Sequence, residues 1–537
     1  MDAPLLRAPP FVGVDASVSR PGTAPSASEP GAQEIERVFA AIGAVRVGAT
    51  FWGAPAERGD ATVIVRARSS GEAESLLAGL DPDVGATALA VSRASQSDPW
   101  ALLGAGVTLV AHGDDDWLAV AVIAGSDVRV LSAGRFGAPE LDRAGLRGRV
   151  AADLLGTRYR DPFTGADSDL NATVALLGGW RRAFEANRGI VAGCGFSWWK
   201  RREIARFLWV PGQRLRFFRS EARAVAHARR HGGAVAVWPS RVSAAMVADA
   251  AAQGVPLVRV EDGFVRSVGL GSNLVPPSSV TVDGRGINYD PARASDLEVL
   301  LAEGHFSPDL LARAGKLCET IVRAGISKYA SGGGHVFPER TAGKRLVLVP
   351  GQVEDDMSVR MGGAGLASNL ELLQRARALE PEAEIWFRPH PDVDAGHRVG
   401  AVRDADALLH ADRVVRGGGM AALLDLVDAV HVLTSLTGFE ALLRGRDVTC
   451  HGVPFYAGWG LTCDLAAVPE RRGRVLTLDA LVAAVLIAYP RYLDPVTGLP
   501  CAPEVLIGRM EDGAAHNRLG WVTRMKQVQG RLTRRRT

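Results

Sequence analysis

Short apolar runs rich in β-branched residues alternate with helix-like stretches from about residue 185 to residue 500, and this alternation limits the possible folds more than any other feature. The runs are GIVAG, AVAVW, PLVRV and SVTV, followed by RLVLVP, AEIWF, AVHVL and DVTC. Such alternation is typical of βαβ units, whose parallel strands are covered by helices on both faces. The sequence therefore predicts an α/β fold with two successive Rossmann-like parallel sheets.

Chemically active residues directly follow four of these runs, and open parallel sheets bind ligands beyond the carboxyl ends of their strands. A single acid after a strand often only caps the next helix. Four strand ends that face one cleft with carboxylates, a histidine and hydroxyls are better explained by a nucleotide-sugar site. The residues are Glu261 and Asp262; Glu354, Asp355 and Asp356; Arg388 and His390; and Thr434, Ser435 and Gly438, with Glu440 in the helix that follows.

Four of these residues have a more specific expected role. His390 lies between two prolines, which fix the loop and the direction of its side chain. Thr434 and Ser435 offer hydroxyls at a predicted helix N-terminus, where phosphate binds, although helix capping alone would also select them. Glu440, more than one turn into that helix, is placed to reach a ribose diol.

We expect no metal ion or other cofactor. The acids at 354–356 could hold Mg²⁺, which needs only one or two carboxylates besides phosphate. However, no second carboxylate pair of DxD type follows a strand, and helix dipoles together with cationic side chains can offset phosphate charge.

The early part of the chain resembles the later part. The stretch TLVAHGDDDWLAVAVIAGSDVRVLSAGRFG, followed by RYRDPFTG, matches HVLTSLTGFEALLRGRDVTCHGVPFYAGWG, followed by RYLDPVTG. In this register Val120 stands at the position of Glu440, and Asp114 and Asp115 replace Thr434 and Ser435. We interpret residues 35–178 as the degenerate remnant of a first module that has lost its polar chemistry.

Composition excludes other classes of protein. A net charge of +3 over 537 residues and 6% aromatic residues give no basis for nucleic-acid binding. The five cysteines are scattered without a CxxC pair, and no apolar run reaches the roughly 18 residues of a membrane span. We therefore predict a cytoplasmic protein. Its basic C-terminal end, RMKQVQGRLTRRRT, is either simply solvated or in contact with anionic lipid at the inner face of the membrane.

A series of motifs resembles the KpsC/LipA capsule polysaccharide biosynthesis family. They are GFSWWKRREIARFL, VEDGFVRSVGLGSNLVPPSSV, GINYD, LVPGQVEDDMSVRMGGAG, RPHPD and TGFEALLRGRDVTCHGVPFYAGWGLT, in family order from about 190 to 500. The resemblance implies a GT-B-like fold and a retaining β-Kdo glycosyltransferase. The donor would be CMP-Kdo, and the acceptor a glycolipid or oligo-Kdo chain at the capsule assembly machinery of the inner membrane. The sequence of the PGQVEDD motif favours a (2→7) linkage over a (2→4) linkage.

The resemblance also implies roles for individual residues. Asp356 corresponds to the proposed nucleophile and Glu261 to the proposed general acid/base, while His390, Thr434 and Ser435 correspond to contacts of the CMP phosphate. Within the same motifs and strand ends we expect further substrate contacts at Lys200, Asp262, Arg266, Gln352, Arg388, Gly438 and Glu440.

The predicted organisation has five parts. They are a disordered linker (1–34), the degenerate remnant (35–178), an acceptor-side Rossmann-like domain (179–340), a CMP-sugar-binding Rossmann-like domain (341–500) and a basic tail (501–537). The alternative to a transferase is a non-catalytic component of capsule assembly or export, because the remnant indicates that this lineage can lose chemistry while keeping a fold.

Overall fold

The computed structural model describes residues 3–23, 30–85, 87–265, 276–327 and 337–512. They form two compact units. The N-terminal unit holds the described residues up to Arg188, with Leu208–Arg214 and Thr497–Leu499, and the C-terminal unit holds the others. Within these ranges no helix combines the length and the apolar character that crossing a membrane requires.

The N-terminal unit has a parallel four-stranded sheet in the order β3-β2-β4-β5 and an antiparallel three-stranded sheet in the order β1-β6-β7. Its strands are β1 (Ser19–Thr23), β2 (Val63–Arg66), β3 (Leu89–Ala90), β4 (Thr108–Ala111), β5 (Asp127–Val130), β6 (Thr157–Arg160) and β7 (Asp167–Ser168). Its helices are α1 (Ala32–Val45), α2 (Ser70–Ala78), α3 (Pro82–Gly85), α4 (Asp116–Ala124), α5 (Arg143–Leu155) and α6 (Leu170–Asn187).

The prediction of disorder over residues 1–34 is wrong for the described part of that segment. Leu5 and Leu6 are each 1% exposed within the apolar core of the N-terminal unit. Strand β1 pairs with β6, with Ser19 opposite Tyr159. Leucines and valines spaced among the prolines bury enough surface to order the segment, which its average composition conceals.

The C-terminal unit contains two sheets. Its strands are β8 (Ile190–Cys194), β9 (Arg216–Phe218), β10 (Ala234–Val237), β11 (Leu257–Asp262), β12 (Ser279–Asp283), β13 (Leu346–Pro350), β14 (Glu384–Arg388), β15 (Arg413–Val414), β16 (Ala429–Val432), β17 (Asp447–Cys450), β18 (Cys463–Asp464), β19 (Pro490–Leu493) and β20 (Pro500–Cys501). Each apolar run that the sequence analysis selects contains a strand, so those predictions are confirmed.

Helices cover both sheets of this unit. They are α7 (Arg201–Phe207), α8 (Glu221–Arg230), α9 (Ala244–Ala252), α10 (Asp296–Glu303), α11 (Pro308–Arg323), α12 (Met357–Gly362), α13 (Asn369–Leu379), α14 (Pro391–Asp394), α15 (Asp404–Ala407), α16 (Met420–Leu426), α17 (Leu436–Leu442), α18 (Leu478–Val482) and α19 (Pro503–Glu511), and a π-helical stretch spans Ala483–Ala488. Serine, threonine or aspartate side chains cap several of their N-termini, as at Ser368 and Ser435.

The second sheet is parallel throughout, in the order β15-β14-β13-β16-β17-β18. Numbered along the chain this is the Rossmann order 3-2-1-4-5-6, with its switch point between β13 and β16. Every residue of β13, β14 and β16 is buried, which explains why these runs are mainly apolar.

The first sheet is mixed, in the order β20-β19-β12-β11-β10-β8-β9. Strands β8 to β11 are parallel, but β12, β19 and β20 run antiparallel to their neighbours. The prediction that SVTV is a strand of a parallel sheet is therefore wrong in direction. Periodicity within a strand carries no information on the direction of its neighbour.

Two predicted domain boundaries and the assignment of one strand also differ from the structure. The boundary at 178/179 falls inside α6. Strand β19, which the prediction assigns to the second domain, pairs with β12 of the first sheet. Residues 501–512, predicted to belong to a basic tail, continue β20 and form α19, which buries Leu506, Ile507 and Met510. The remainder of the predicted tail lies outside the described residues.

One apolar core joins the two sheets of the C-terminal unit. It includes Phe264 and Tyr492 from the first sheet and its loops, and Trp386 from the second sheet. Trp459 and Tyr456, from the segment after β17, are fully buried in the same cluster. The two sheets are therefore halves of one packed body, with the strand ends held in fixed positions.

The four-stranded sheet of the N-terminal unit repeats the central order of the second sheet, because β3-β2-β4-β5 corresponds to β14-β13-β16-β17. The two DPxTG motifs also share a turn: Asp161 Oδ1 accepts the Phe163 backbone N–H at 2.8 Å, and Asp494 Oδ1 accepts that of Val496 at 3.1 Å. A shared topology and a shared turn favour the predicted duplication.

Candidate functional site

Gln352 and Thr434 follow the strands on either side of the switch point in the second sheet. The Gln352 side-chain amide donates from Nε2 to Thr434 Oγ1 at 3.1 Å, and its Oε1 accepts the Thr434 backbone N–H at 2.9 Å. Its backbone N–H donates to Asn369 Oδ1 at 2.8 Å. Gln352, which we expect to contact substrate, thus holds the Thr434 loop where ligands bind to such sheets.

Ser435 and Gly438 have local structural roles. Ser435 is the N-cap of α17, and its Oγ accepts the Thr437 backbone N–H at 3.2 Å. The Tyr456 hydroxyl donates to the Ser435 carbonyl oxygen. A Cβ at Gly438 would lie 2.3 Å from that hydroxyl oxygen, so the glycine makes room for Tyr456. The capping alternative that the sequence leaves open for Ser435 is therefore realised.

Arg388 and His390 follow β14. Arg388 is buried and donates to the carbonyl oxygens of Gly417 and Gly418, both at 2.7 Å. Burial lowers the pKa of Arg388. His390 is the N-cap of α14, and its Nδ1 accepts the Asp392 backbone N–H at 3.2 Å. In the neutral imidazole the proton is then carried by Nε2, which makes that nitrogen a donor.

The three adjacent acids after β13 have different environments. Glu354 accepts the Asn369 backbone N–H at 2.7 Å, and Asp355 is exposed and pairs with Arg398 at 3.0 Å. Asp356 caps α12, and its Oδ2 accepts both the backbone N–H and the hydroxyl of Ser358, at 3.3 and 2.7 Å. In the described part of the chain Asp356 Oδ1 accepts no hydrogen bond, so of the three acids Asp356 fits a reactive role best.

Glu261 and Asp262 end β11 in the first sheet. Successive side chains of a strand point to opposite faces, so these two carboxylates separate. Asp262 accepts a hydrogen bond from Lys200 Nζ at 3.0 Å. The Lys200 ammonium also lies 3.5 Å from the ring centroid of Trp238. Lys200 and Asp262, both predicted substrate contacts, thus form a partly buried ion pair with each other, while Glu261 lies on the other face.

Tyr289, in the loop after β12, lies near both predicted catalytic acids. Burial, and then the charges of Glu261 and Asp356, raise its pKa above the ordinary value. Glu261 belongs to the first sheet and Asp356 follows a strand of the second, so acids from both sheets affect the pKa of this phenol. The sequence analysis does not select Tyr289, although it belongs to the GINYD motif.

Glu440 is 8% exposed and faces a small cavity lined mainly by apolar side chains, including Phe264 and Phe439. Ser327 and Leu436 also line this cavity. Glu440 is thus a nearly buried carboxylate at the edge of a mainly apolar cavity.

Two further expectations concern Arg266 and a metal ion. Arg266, a predicted substrate contact, lies outside the described residues. Among the residues that the structure does describe, there is no group of three or more His, Cys, Asp or Glu side chains arranged to hold a metal ion.

In the N-terminal unit, the positions that correspond to Ser435 and Glu440 form an internal ion pair and part of an apolar core. Asp115, which stands where Ser435 stands in the repeat, lies 3.3 Å from an Arg66 nitrogen and 3.1 Å from an Arg93 nitrogen. Asp115 and Arg66 are both buried. Val120, at the position of Glu440, is fully buried in an apolar core. Asp115 thus balances the charges of Arg66 and Arg93 within the protein. This arrangement fits the interpretation of residues 35–178 as a structural remnant.

The sequence and the structure of this chain are similar to those of known proteins. A family model described as capsule polysaccharide biosynthesis protein matches residues 233–492. The structures of two Thermosulfurimonas dismutans proteins, KpsC β-Kdo 2,7 transferase and KpsC β-Kdo 2,4 transferase, are 34% and 33% identical to this chain, with TM-scores of 0.50 and 0.53. Each match covers 60% of this chain and 98% of the solved chain. The chain belongs to the KpsC/LipA family.

Curated relatives in this family match over part of their length. The capsule polysaccharide modification protein LipA of Neisseria meningitidis is 41% identical over 348 residues, which are 65% of this chain and 49% of LipA. The lipopolysaccharide-processing protein LpsZ of Rhizobium meliloti is 45% identical over 241 residues, which are 44% of this chain and 54% of LpsZ. The chain thus spans about half the length of these relatives.

Family membership confirms the predicted GT-B-like α/β fold, with two Rossmann-like halves in one unit. The family match at residues 233–492 contains every predicted site residue except Lys200. The N-terminal unit lies entirely outside that match.

Proposed function

We propose that this protein is a retaining β-Kdo glycosyltransferase that transfers Kdo from CMP-Kdo to a lipid-linked or Kdo-terminated acceptor in the synthesis of a capsule linker. Its similarity to the two KpsC transferases, over nearly their whole solved length, supports the reaction class. The observation that carries the proposal is the placement of Glu261 at the end of β11 in the first sheet and of Asp356 after β13 in the second, because one apolar core joins these two sheets.

Asp356 is the proposed nucleophile. Its Oδ1 attacks the anomeric carbon of Kdo, the bond from that carbon to the phosphate oxygen breaks, and the electron pair leaves with CMP. A covalent Kdo-enzyme ester results. The hydrogen bonds of Ser358 to Oδ2 fix the carboxylate and leave Oδ1 for this bond.

Glu261 is the proposed base of the second step. It takes the proton of the acceptor hydroxyl as that oxygen attacks the anomeric carbon, and the bond to Asp356 breaks to regenerate the carboxylate. Two inversions at one carbon give net retention. The resemblance of the EDG motif to that of the KpsC/LipA family supports the choice of Glu261 over Asp262.

We assign the donor nucleotide to the switch point of the second sheet. The Thr434 loop, held by Gln352, and His390 are proposed to bind the phosphate of CMP, and Glu440 is proposed to bind the ribose diol. The capping role of the Ser435 hydroxyl leaves its backbone and neighbouring groups for the phosphate. These groups suffice for one phosphate without a metal ion.

We propose a (2→7) linkage from the sequence of the PGQVEDD motif. We also propose that the enzyme associates peripherally with the inner membrane, where it would meet a glycolipid acceptor and the capsule assembly machinery. Product analysis by NMR distinguishes the linkage positions.

The first test is the release of CMP from CMP-Kdo when a lipid-linked or Kdo-terminated acceptor is added. Acceptor-dependent release supports transfer. Tight binding of the acceptor without release would instead favour a non-catalytic component of capsule assembly or export.

The second test traps the covalent intermediate. In Glu261→Gln the second step slows, and intact-protein mass spectrometry after incubation with CMP-Kdo should find one added Kdo on the peptide that contains Asp356. Asp356→Ala should lower turnover by several powers of ten. The matched control is Asp355→Ala, an exposed neighbouring acid that pairs with Arg398, and it should retain activity. An adduct on another peptide, or substantial turnover by Asp356→Ala, contradicts the mechanism.

A further inference from the structure

The loop that carries Tyr289 is rigidly anchored. The buried Asp283 accepts hydrogen bonds from the backbone N–H groups of Arg285, Gly286 and Asp296, at 3.0, 2.7 and 2.8 Å. The Tyr489 hydroxyl donates to the same carboxylate at 2.9 Å. One buried carboxylate thus fixes the backbone on the strand side of Tyr289.

The other side of the loop packs against the helix that Asp356 begins. A Cβ built on Gly362, at the end of α12, would lie 3.4 Å from the Tyr289 carbonyl oxygen and 3.1 Å from the Thr434 methyl group. The loop therefore lies between the first sheet and the switch point of the second, which is where a donor sugar must sit if CMP binds at Thr434.

In the part of the chain that the structure describes, the Tyr289 hydroxyl takes part in no hydrogen bond. Its oxygen is buried. An unsatisfied buried hydroxyl costs free energy of folding, and replacement by an apolar group of the same shape is nearly neutral or stabilising. A buried hydroxyl without a hydrogen bond does not stabilise the fold, so its presence in this anchored loop calls for a functional explanation.

The charges around this hydroxyl indicate what it binds. Besides burial, the negative charges of Glu261, Asp356 and Asp290 raise the pKa of Tyr289, while Arg259 lowers it. A sugar acid bound between Glu261 and Asp356 would bring a further carboxylate. Like charges repel at such distances. A neutral O–H donor at this position can form a charge-assisted hydrogen bond with the incoming carboxylate.

We propose that the Tyr289 hydroxyl donates a hydrogen bond to the carboxylate on the anomeric carbon of the transferred sugar acid, and so allows an anionic sugar to bind between two catalytic carboxylates. This assignment rests on the proposed transferase function and deepens it, since it makes Tyr289 a determinant of specificity for sugar acids.

The test is Tyr289→Phe, which removes only the hydroxyl. We expect kcat/KM for CMP-Kdo, measured by CMP release, to fall at least about tenfold. We expect the Kd of CMP alone, measured by calorimetry, to stay within about twofold of the wild-type value, because CMP lacks the sugar. The melting temperature should stay unchanged or rise, because the lost hydroxyl has no hydrogen-bond partner among the described residues.

Tyr492→Phe is the matched control, because the Tyr492 hydroxyl is also buried but donates to the Leu486 carbonyl oxygen at 2.6 Å. This variant should melt at a lower temperature and keep kcat/KM within about twofold. Full activity of Tyr289→Phe, or a fall in its melting temperature together with its activity, would overturn the sugar contact. Absence of CMP release by the wild type would refute the proposed function itself, whereas normal wild-type release with an unaffected Tyr289→Phe variant refutes the contact alone.

Discussion

Acid should destabilise this protein through a pair of buried histidines in the second sheet. His431 Nδ1 and His451 Nε2 lie 3.0 Å apart, and the two residues are 2% and 4% exposed. Burial lowers the pKa of each from 6.5 to about 4, with smaller contributions from Arg345 at His431 and from His431 and Arg375 at His451. Both rings are therefore neutral in the folded state at neutral pH.

The direction of the effect follows from proton binding. Between about pH 6.5 and pH 4 the unfolded chain binds protons at both histidines and the folded chain does not, so the free energy of unfolding falls as the pH falls through this window. At pH 5 each histidine with these two pKa values removes on the order of 2 kcal/mol. That is a large share of the roughly 5–15 kcal/mol that stabilises a typical domain.

The assay is urea unfolding, followed by tryptophan fluorescence at pH 7.5 and pH 5.0. In His451→Gln the difference in unfolding free energy between the two pH values should be smaller than in the wild type by about 2 kcal/mol. His305→Gln, at an exposed side chain, is the control and should reproduce the wild-type difference. An unchanged difference in His451→Gln would refute the assignment of acid sensitivity to this pair.

Three other outcomes are expected. Glu298→Gln leaves the buried Arg472 guanidinium without the carboxylate 2.7 Å away and should cost about 3–5 kcal/mol in urea unfolding, whereas Glu303→Gln, exposed on the same helix, should have no comparable effect. Gly438→Ala should lower the melting temperature because its Cβ meets the Tyr456 hydroxyl, and adding Tyr456→Phe should restore part of the loss. Transfer should continue in excess chelator; complete loss, restored by Mg²⁺ or Mn²⁺, would reassign the acids at 354–356 to a metal site.

Local sequence pattern is sufficient for the strands and for the acids at their ends. The runs of β13, β14 and β16 are buried along their whole length and mainly apolar because both faces of that sheet are covered, so the pattern identifies them as buried strands. The same reasoning places Glu261 and Asp356 at strand ends. Each family motif is a continuous stretch of residues, so the motifs and their order can be read from the sequence without the structure. They are sufficient to identify the family.

The partners of each polar group are decided by tertiary structure. Gln352 and Arg388 stand at strand ends like catalytic residues, yet one holds the Thr434 loop and the other binds the carbonyl oxygens of Gly417 and Gly418. The direction of β12 and the unpartnered hydroxyl of Tyr289 are equally invisible in the sequence. Periodicity reports whether a side chain is buried, because burial repeats with the local backbone geometry. Which donor meets which acceptor depends on segments far apart along the chain, as for Gln352 and Thr434 with a separation of 82 positions, and only the folded chain brings such segments together.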